Sequence, residues 1–216
     1  MVTGTSTYIG LDEAGKGDYF GPLVVAAVAG DSKPLTALGV VDSKRLSDKR
    51  VISLAAAIIT GFATEVVAVH PPKYNELYAR MRNLNRLLAW CHARALENML
   101  HRVPEAGVIV DQFAAAHTLE KALLEKGQKT KLIQEPGAEQ YAVVAAASTV
   151  ARAGFLQRLE GLARKHDVKL PKGAGSPVDA AGREILAKGG IGLLQQVAKI
   201  HFRTTKKIGA PVGSST

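Results

Sequence analysis

Residues 8–29 constrain the fold of this chain more than any other stretch. They read Tyr-Ile-Gly-Leu-Asp-Glu-Ala-Gly-Lys-Gly-Asp-Tyr-Phe-Gly-Pro-Leu-Val-Val-Ala-Ala-Val-Ala. Two apolar runs of β character flank a glycine-rich turn, and Asp12 and Glu13 stand where the first run ceases to be apolar. Successive side chains of a strand point to opposite faces. The two carboxylates are therefore expected to converge on one site only if the backbone turns at once, which Gly15 and Gly17 permit. Adjacent acids at a strand end need a partner, and the simplest partner is a cation.

The same stretch places Gly10, Gly15 and Lys16 at the spacing of a phosphate-cradling loop, G-x-x-x-x-G-K, which would indicate a nucleotide hydrolase or kinase. Three features oppose that reading. Gly17 stands where a metal-binding Ser or Thr is required, two carboxylates occupy a loop meant for a polyanion, and the valine-rich segment after Pro22 reads as a strand rather than a helix. On this stretch alone, Asp12 and Glu13 as ordinary turn residues also remains open.

A chain of 216 residues with 47% hydrophobic content can bury a full core, and one domain is expected. The net charge of +9 favours polyanionic partners, although a basic balance also serves solubility. Cys91 is the only cysteine, which excludes an intramolecular disulfide and a cysteine zinc cluster and suits a reducing compartment. The N-terminus lacks a basic segment followed by an apolar core, and no run approaches the ~20 apolar residues of a membrane span. A soluble, cytoplasmic protein is expected, monomeric and without an obligate protein partner.

Residues 30–46 read as a connector, followed by a helix capped by Ser47 with Leu54 and Ile58 on its buried stripe. A short strand over 64–69 ends at Pro71-Pro72. Leu77, Met81, Leu84, Leu88, Cys91, Ala95 and Met99 then recur at three and four, which predicts one long helix over 75–102 with Cys91 buried. Its other side carries Arg80, Arg82, Asn83, Arg86, Arg94 and His101, able to face phosphate or water. Val108, Ile109 and Val110 form a short apolar run ending at Asp111, and acids just past buried strands collect sites in α/β sheets. A further strand is expected over 131–134, with Glu135 after it. Glu139 then opens a helix over 140–164 whose alanines permit close packing on the sheet. Arg152 lies one turn beyond Ser148 on the same face. Residues 169–177 form a basic Gly/Pro loop, and two short helices follow around 179–188 and 191–199. The succession of elements is an α/β pattern with a mixed sheet.

Several motifs carry a resemblance. Asp12-Glu13-Ala14-Gly15-Lys16-Gly17-Asp18-Tyr19-Phe20-Gly21-Pro22 resembles the opening of type 2 ribonucleases H, with Asp18-Tyr19-Phe20 closer to ribonuclease HIII than to ribonuclease HII. Asp42-Ser43-Lys44, Lys73-Tyr74-Asn75, Asn83-Leu84-Asn85, Val110-Asp111-Gln112-Phe113, the run from Val144 through Ser148 to Arg152, and Lys199-Ile200-His201-Phe202-Arg203 continue it over nearly the whole chain. The resemblance implies a ribonuclease H-like fold, its mixed central sheet flanked by helices and followed by a C-terminal helical extension. It implies Asp12, Glu13, Asp111 and Glu139 as catalytic, metal-binding acids, with Glu135 as the alternative for the fourth place. An all-oxygen donor set suits two Mg²⁺ or Mn²⁺ ions rather than zinc. Gly15, Lys16 and Gly17, together with Lys44, Ser148 and Arg152, are the implied substrate contacts, and His201 is either a proton-steering or a structural histidine.

The implied activity is hydrolysis of the RNA strand of an RNA/DNA hybrid to 5′ phosphate and 3′ hydroxyl ends. The alternatives are a ribonuclease HII-type enzyme acting at single ribonucleotides in duplex DNA, and a binding module without catalysis. Ribonuclease HIII usually carries an additional N-terminal substrate-binding domain, whereas this chain begins almost at the first catalytic strand. A single catalytic domain over 1–216 is expected, with 209–216 as a loose tail.

Overall fold

The computed structural model describes residues 7–40, 46–104, 106–112 and 115–210. They fall into two compact units. The first comprises Met1–Ala14, Val24–Val67 and Asn83–Gly154; the second comprises Gly15–Leu23, Ala68–Arg82 and Phe155–Thr216.

The centre of the first unit is a mixed five-stranded sheet of order β3-β2-β1-β4-β5. Strand β1 (Tyr8–Ala14) pairs antiparallel with β2 (Leu23–Gly30), from Tyr8 opposite Gly30 to Ala14 opposite Val24. Strand β3 is Ala63–Val69. Strand β4 (Gly107–Asp111) lies parallel to β1, with Leu11 beside Val110, and β5 (Leu132–Glu135) lies parallel to β4, with Asp111 beside Glu135. Residues 23–29 of β2 are buried throughout, as a strand covered on both faces requires.

Helix α1 (Ser32–Ala37) falls within the expected connector, and α2 (Asp48–Gly61) starts at the predicted cap, where Ser47 Oγ accepts from the Arg50 amide. The predicted long helix is two helices, α3 (Pro71–Met81) and α4 (Leu84–Leu100). Arg82 takes a left-handed conformation (φ 47°) that ends α3, and the Asn83 side chain accepts from the Arg86 amide to start α4. The continuous apolar spacing concealed this break because Asn83 reads as a surface residue, although Asn is also a strong N-cap. The start was missed as well: Pro71 and Pro72 open α3, since proline is tolerated in a first helical turn. Leu88, Cys91, Ala95 and Met99 of α4 are buried as expected.

Helix α5 is Ala116–Glu120, and short 3₁₀ turns cover Gly127–Lys129 and Ala138–Gln140. Glu139 therefore sits in a 3₁₀ turn before α6 (Ala142–His166), and Glu135 ends β5 rather than following it. An ideal Cβ on Gly10 would lie 2.3 Å from the Val143 carbonyl carbon, so only glycine lets β1 and the first turn of α6 approach this closely.

In the second unit, α7 (Ser176–Val197) is interrupted by non-helical Gly189 and Gly190, dividing it near the two helices expected, and α8 is Arg203–Lys207. Tyr19, Phe20, Tyr74 and Lys199 are fully buried there. Gly15 has φ +86° and Gly21 φ +81°; an added Cβ would meet the Pro22 carbonyl oxygen and Phe155 at Gly15, and Leu159 and Phe155 at Gly21.

Candidate active site

Strand β1 continues through Ala14, so its backbone makes no turn between Asp12 and Glu13. The expected turn between the two acids is therefore absent, yet their carboxylates remain electrostatically coupled, the charge of Glu13 acting on Asp12. The Asp12 carboxylate hydrogen-bonds the Ser148 hydroxyl of α6 and accepts from the Glu13 amide at 2.8 Å. Glu13 turns toward α4, where the fully buried His92 donates from Nε2 to Glu13 Oε2 at 3.1 Å. Sequence reading passed over His92. Its only signal was position: it lies between Leu88 and Leu96 at steps of four, a polar group inside an apolar stripe.

Burial and then the charge of Glu13 raise the Asp12 carboxyl to about 6, against the opposing pull of Ser148, the Glu13 amide and His92. Burial, with Glu13 adding to it, pushes the Cys91 thiol up to about 12, so Cys91 is an inert core residue as expected.

The remaining acids stand at the carboxyl ends of the parallel strands. Leu11 lies beside Val110, so Asp12 and Asp111 follow one residue later on neighbouring strands, and Asp111 is in register with Glu135. Asp111 Oδ1 accepts from the Ala138 amide at 3.1 Å, which seats the 3₁₀ turn carrying Glu139 beside the end of β4. Glu135 is engaged within its own segment: Gln140 Nε2 donates to it at 3.3 Å, and Tyr141 hydrogen-bonds it. That bond and the neighbouring charge hold the Tyr141 phenol above its ordinary value.

Among the described residues, no three His, Cys, Asp or Glu side chains stand close enough together to hold a metal ion. Asp12, Glu13 and Asp111 each accept from a different protein donor: the Glu13 amide, His92 and the Ala138 amide. The donor chemistry nevertheless fits a hard divalent cation: Asp12, Asp111 and Glu139 offer oxygens at neighbouring strand and turn ends, and Asp12 carries a burial penalty that a cation would relieve.

Ser148 is buried and serves Asp12. Arg152 extends from α6 to Asp48 of α2, an ion pair of 2.9 Å. Lys44, with Asp42 and Ser43, lies outside the described residues, as do residues 211–216 of the expected tail. Gly15, Lys16 and Gly17 belong to the second unit; Gly17 is exposed, and a Cβ there would meet nothing within 4 Å. His201 stacks on Tyr78 with ring centroids 3.8 Å apart and on Tyr74 at 5.5 Å. Burial, assisted by Lys199, lowers it to about 4, so it is neutral at physiological pH and sits in an aromatic stack.

Comparison with known proteins places this arrangement in context. The sequence profile of the Ribonuclease HII family matches residues 9–205. Ribonuclease HIII of Chlamydia pneumoniae is 47% identical over 206 residues, covering 93% of this chain and 69% of that protein. Ribonuclease HIII of Protochlamydia amoebophila is 44% identical over 209 residues, covering 95% and 69%. The crystal structure of Bst-RNase HIII in complex with Mn²⁺ superposes with a TM-score of 0.88 at 34% identity, covering 96% of this chain and 70% of that one.

Proposed function

This chain belongs to the ribonuclease HII family, with ribonucleases HIII among its relatives, and from that membership we propose that it is an endoribonuclease. It hydrolyses the RNA strand of RNA/DNA hybrids, leaving 5′ phosphate and 3′ hydroxyl ends. The observation that carries the reading is that Asp12 and Asp111 each follow the last register pair, Leu11 beside Val110, on neighbouring parallel strands, with the Glu139 turn anchored to Asp111. Two divalent cations, Mg²⁺ or Mn²⁺, supply the Lewis acidity for attack of water on the phosphodiester and departure of the 3′ oxygen.

The protein's part is to hold the acids ionised and oriented. Asp12, Asp111 and Glu139, with Glu13, are the metal-holding groups. Ser148 orients Asp12 through its hydroxyl, and His92 orients Glu13 from the α4 side. At neutral pH Asp12 is ionised despite its raised value, and below about pH 6 a proton competes for it. The amides of Gly15 and Gly17 contact the RNA strand at the 2′ hydroxyl, which distinguishes RNA from DNA, with Lys16, Lys44 and Arg152 near phosphates. The net charge of +9 draws the polyanionic substrate.

Residues 1–216 act as one catalytic domain, in a cytoplasmic setting, as a monomer whose size chromatography would report. Among the described residues no helix is long and apolar enough to cross a membrane. The test is cleavage of an end-labelled hybrid by pure protein with Mg²⁺ or Mn²⁺. Parent protein should cut only the RNA strand, and Asp111→Asn should bind hybrid without cutting. Binding by the parent with no cleavage in either metal would leave a non-catalytic module instead.

A further inference from the structure

Residues 15–21, assigned above to hybrid contact through their first three residues, include Gly15, Gly17 and Gly21, which have no side chains to anchor them. Their shape is held from outside, by the segment after α7 and the loop before it. Lys199 Nζ donates to the Asp18 carbonyl at 2.7 Å and to the Phe20 carbonyl at 3.4 Å, and the Lys199 amide donates to the Tyr19 carbonyl at 2.8 Å. The Gly21 amide donates to Val197 O at 2.9 Å. The Gly173 amide donates to Asp18 Oδ1 at 2.6 Å, and the Tyr19 and Thr205 hydroxyls share a bond of 3.0 Å. Lys199 is the only charged contributor from its segment to this set of bonds and is fully buried, its ammonium 5.7 Å from the Tyr74 ring centroid. A buried ammonium is costly, and the return for it is that one side chain holds two loop carbonyls, Asp18 and Phe20, at once.

We propose that Lys199 is a positioning residue for substrate binding, its ammonium tying the Asp18 and Phe20 carbonyls so that the loop over 15–17 keeps the form that meets the hybrid. The inference rests on the reading of that loop as a substrate contact. The titratable groups facing Lys199 are Asp18 of the loop, Tyr74 of α3 and His201 of its own segment. Burial pulls the Lys199 ammonium down to about 7 while Asp18 opposes the shift, and His201 at about 4 stays neutral through the same interval. As the pH rises through about 7 the two charge-assisted bonds become ordinary ones, roughly half as strong.

The experiment measures hybrid binding by fluorescence anisotropy in EDTA, at fixed salt, for the parent and Lys199→Met, with melting temperatures alongside. Lys199→Met should bind about tenfold more weakly at about pH 6, with the gap narrowing to about threefold at about pH 8.5, and should stay folded at the temperature of the binding assay. Affinity within about twofold of the parent at both pH values, or a gap that does not change with pH, overturns the proposal. Lys16→Ala and Gly17→Val separate the two layers of reasoning. If they weaken binding and Lys199→Met does not, the inference alone falls; if neither weakens binding, the loop reading falls and takes the inference with it.

Discussion

Gly10→Ala tests how the site is assembled, because one methyl group is aimed at backbone. Gly10 and Asp12 lie two residues apart on one face of β1, and α6 covers that face. The added Cβ would stand 2.3 Å from Val143 C and 2.4 Å from both Val143 O and Val144 N. Unstrained carbon contacts need ~3.5 to 4.0 Å, so strand and helix must separate by about 1 Å or the backbone must distort. A backbone obstacle cannot swing aside as a side chain can, which puts the cost near the upper end of overpacking, about 3 kcal/mol. In a domain of this size that lowers the melting temperature by roughly 6 to 12 °C. The same displacement pulls Ser148 from Asp12, and a misplacement of that size costs on the order of a hundredfold in kcat.

Gly161→Ala is the matched control. It lies inside α6 with nothing within 4 Å of its Cβ, and alanine there should stabilise the protein by about 0.5 to 1 kcal/mol. Urea denaturation and hybrid cleavage of the two variants are the assays. A Gly10→Ala protein as stable and active as the parent would refute the packing argument.

Three further outcomes are expected. The folded Asp12 carboxyl, at about 6, sits above its ordinary 3.8, so the folded state binds more protons between these values and stability declines as the pH rises through about 6. In EDTA, Asp12→Asn should therefore exceed the parent by about 3 kcal/mol at neutral pH and nearly match it near pH 4, while cutting no hybrid; lower stability than the parent at neutral pH would contradict this. Glu139→Gln should be severely impaired and Glu135→Gln far less, since Glu135 is occupied by Gln140 and Tyr141; the reverse order of single-turnover rates would make Glu135 the fourth ligand. The resemblance to type 2 ribonucleases H implies that a ribonuclease HII-type enzyme would meet an RNA-to-DNA junction with a tyrosine late in the chain, whereas Tyr8, Tyr19, Tyr74, Tyr78 and Tyr141 all precede α6. Loss of ~1 to 3 kcal/mol of stacking should make a single ribonucleotide in duplex DNA roughly tenfold to a hundredfold poorer than a ribonucleotide run, and equal turnover of the two would refute the distinction.

Sequence alone determined what local rules govern. The β1 and β2 runs, the Ser47 cap, the burial of Cys91 and Asp111 at the end of its strand follow from periodicity, capping chemistry and the placement of charge beside apolar runs. So did the break near Gly189 and Gly190, where glycine interrupts helical spacing. Local rules failed where two meanings share one residue type: Asn83 is both a surface residue and a cap, and Pro71 both ends a strand and opens a helix. They could not supply partners distant along the chain. That His92 reaches Glu13, that Ser148 serves Asp12, that Gly10 is a contact point for α6 and that Lys199 grips the loop over 15–21 were decided by the tertiary structure. Those pairings span tens to nearly two hundred residues, and sequence carries no distance across such a span until strand register and helix packing bring the groups together.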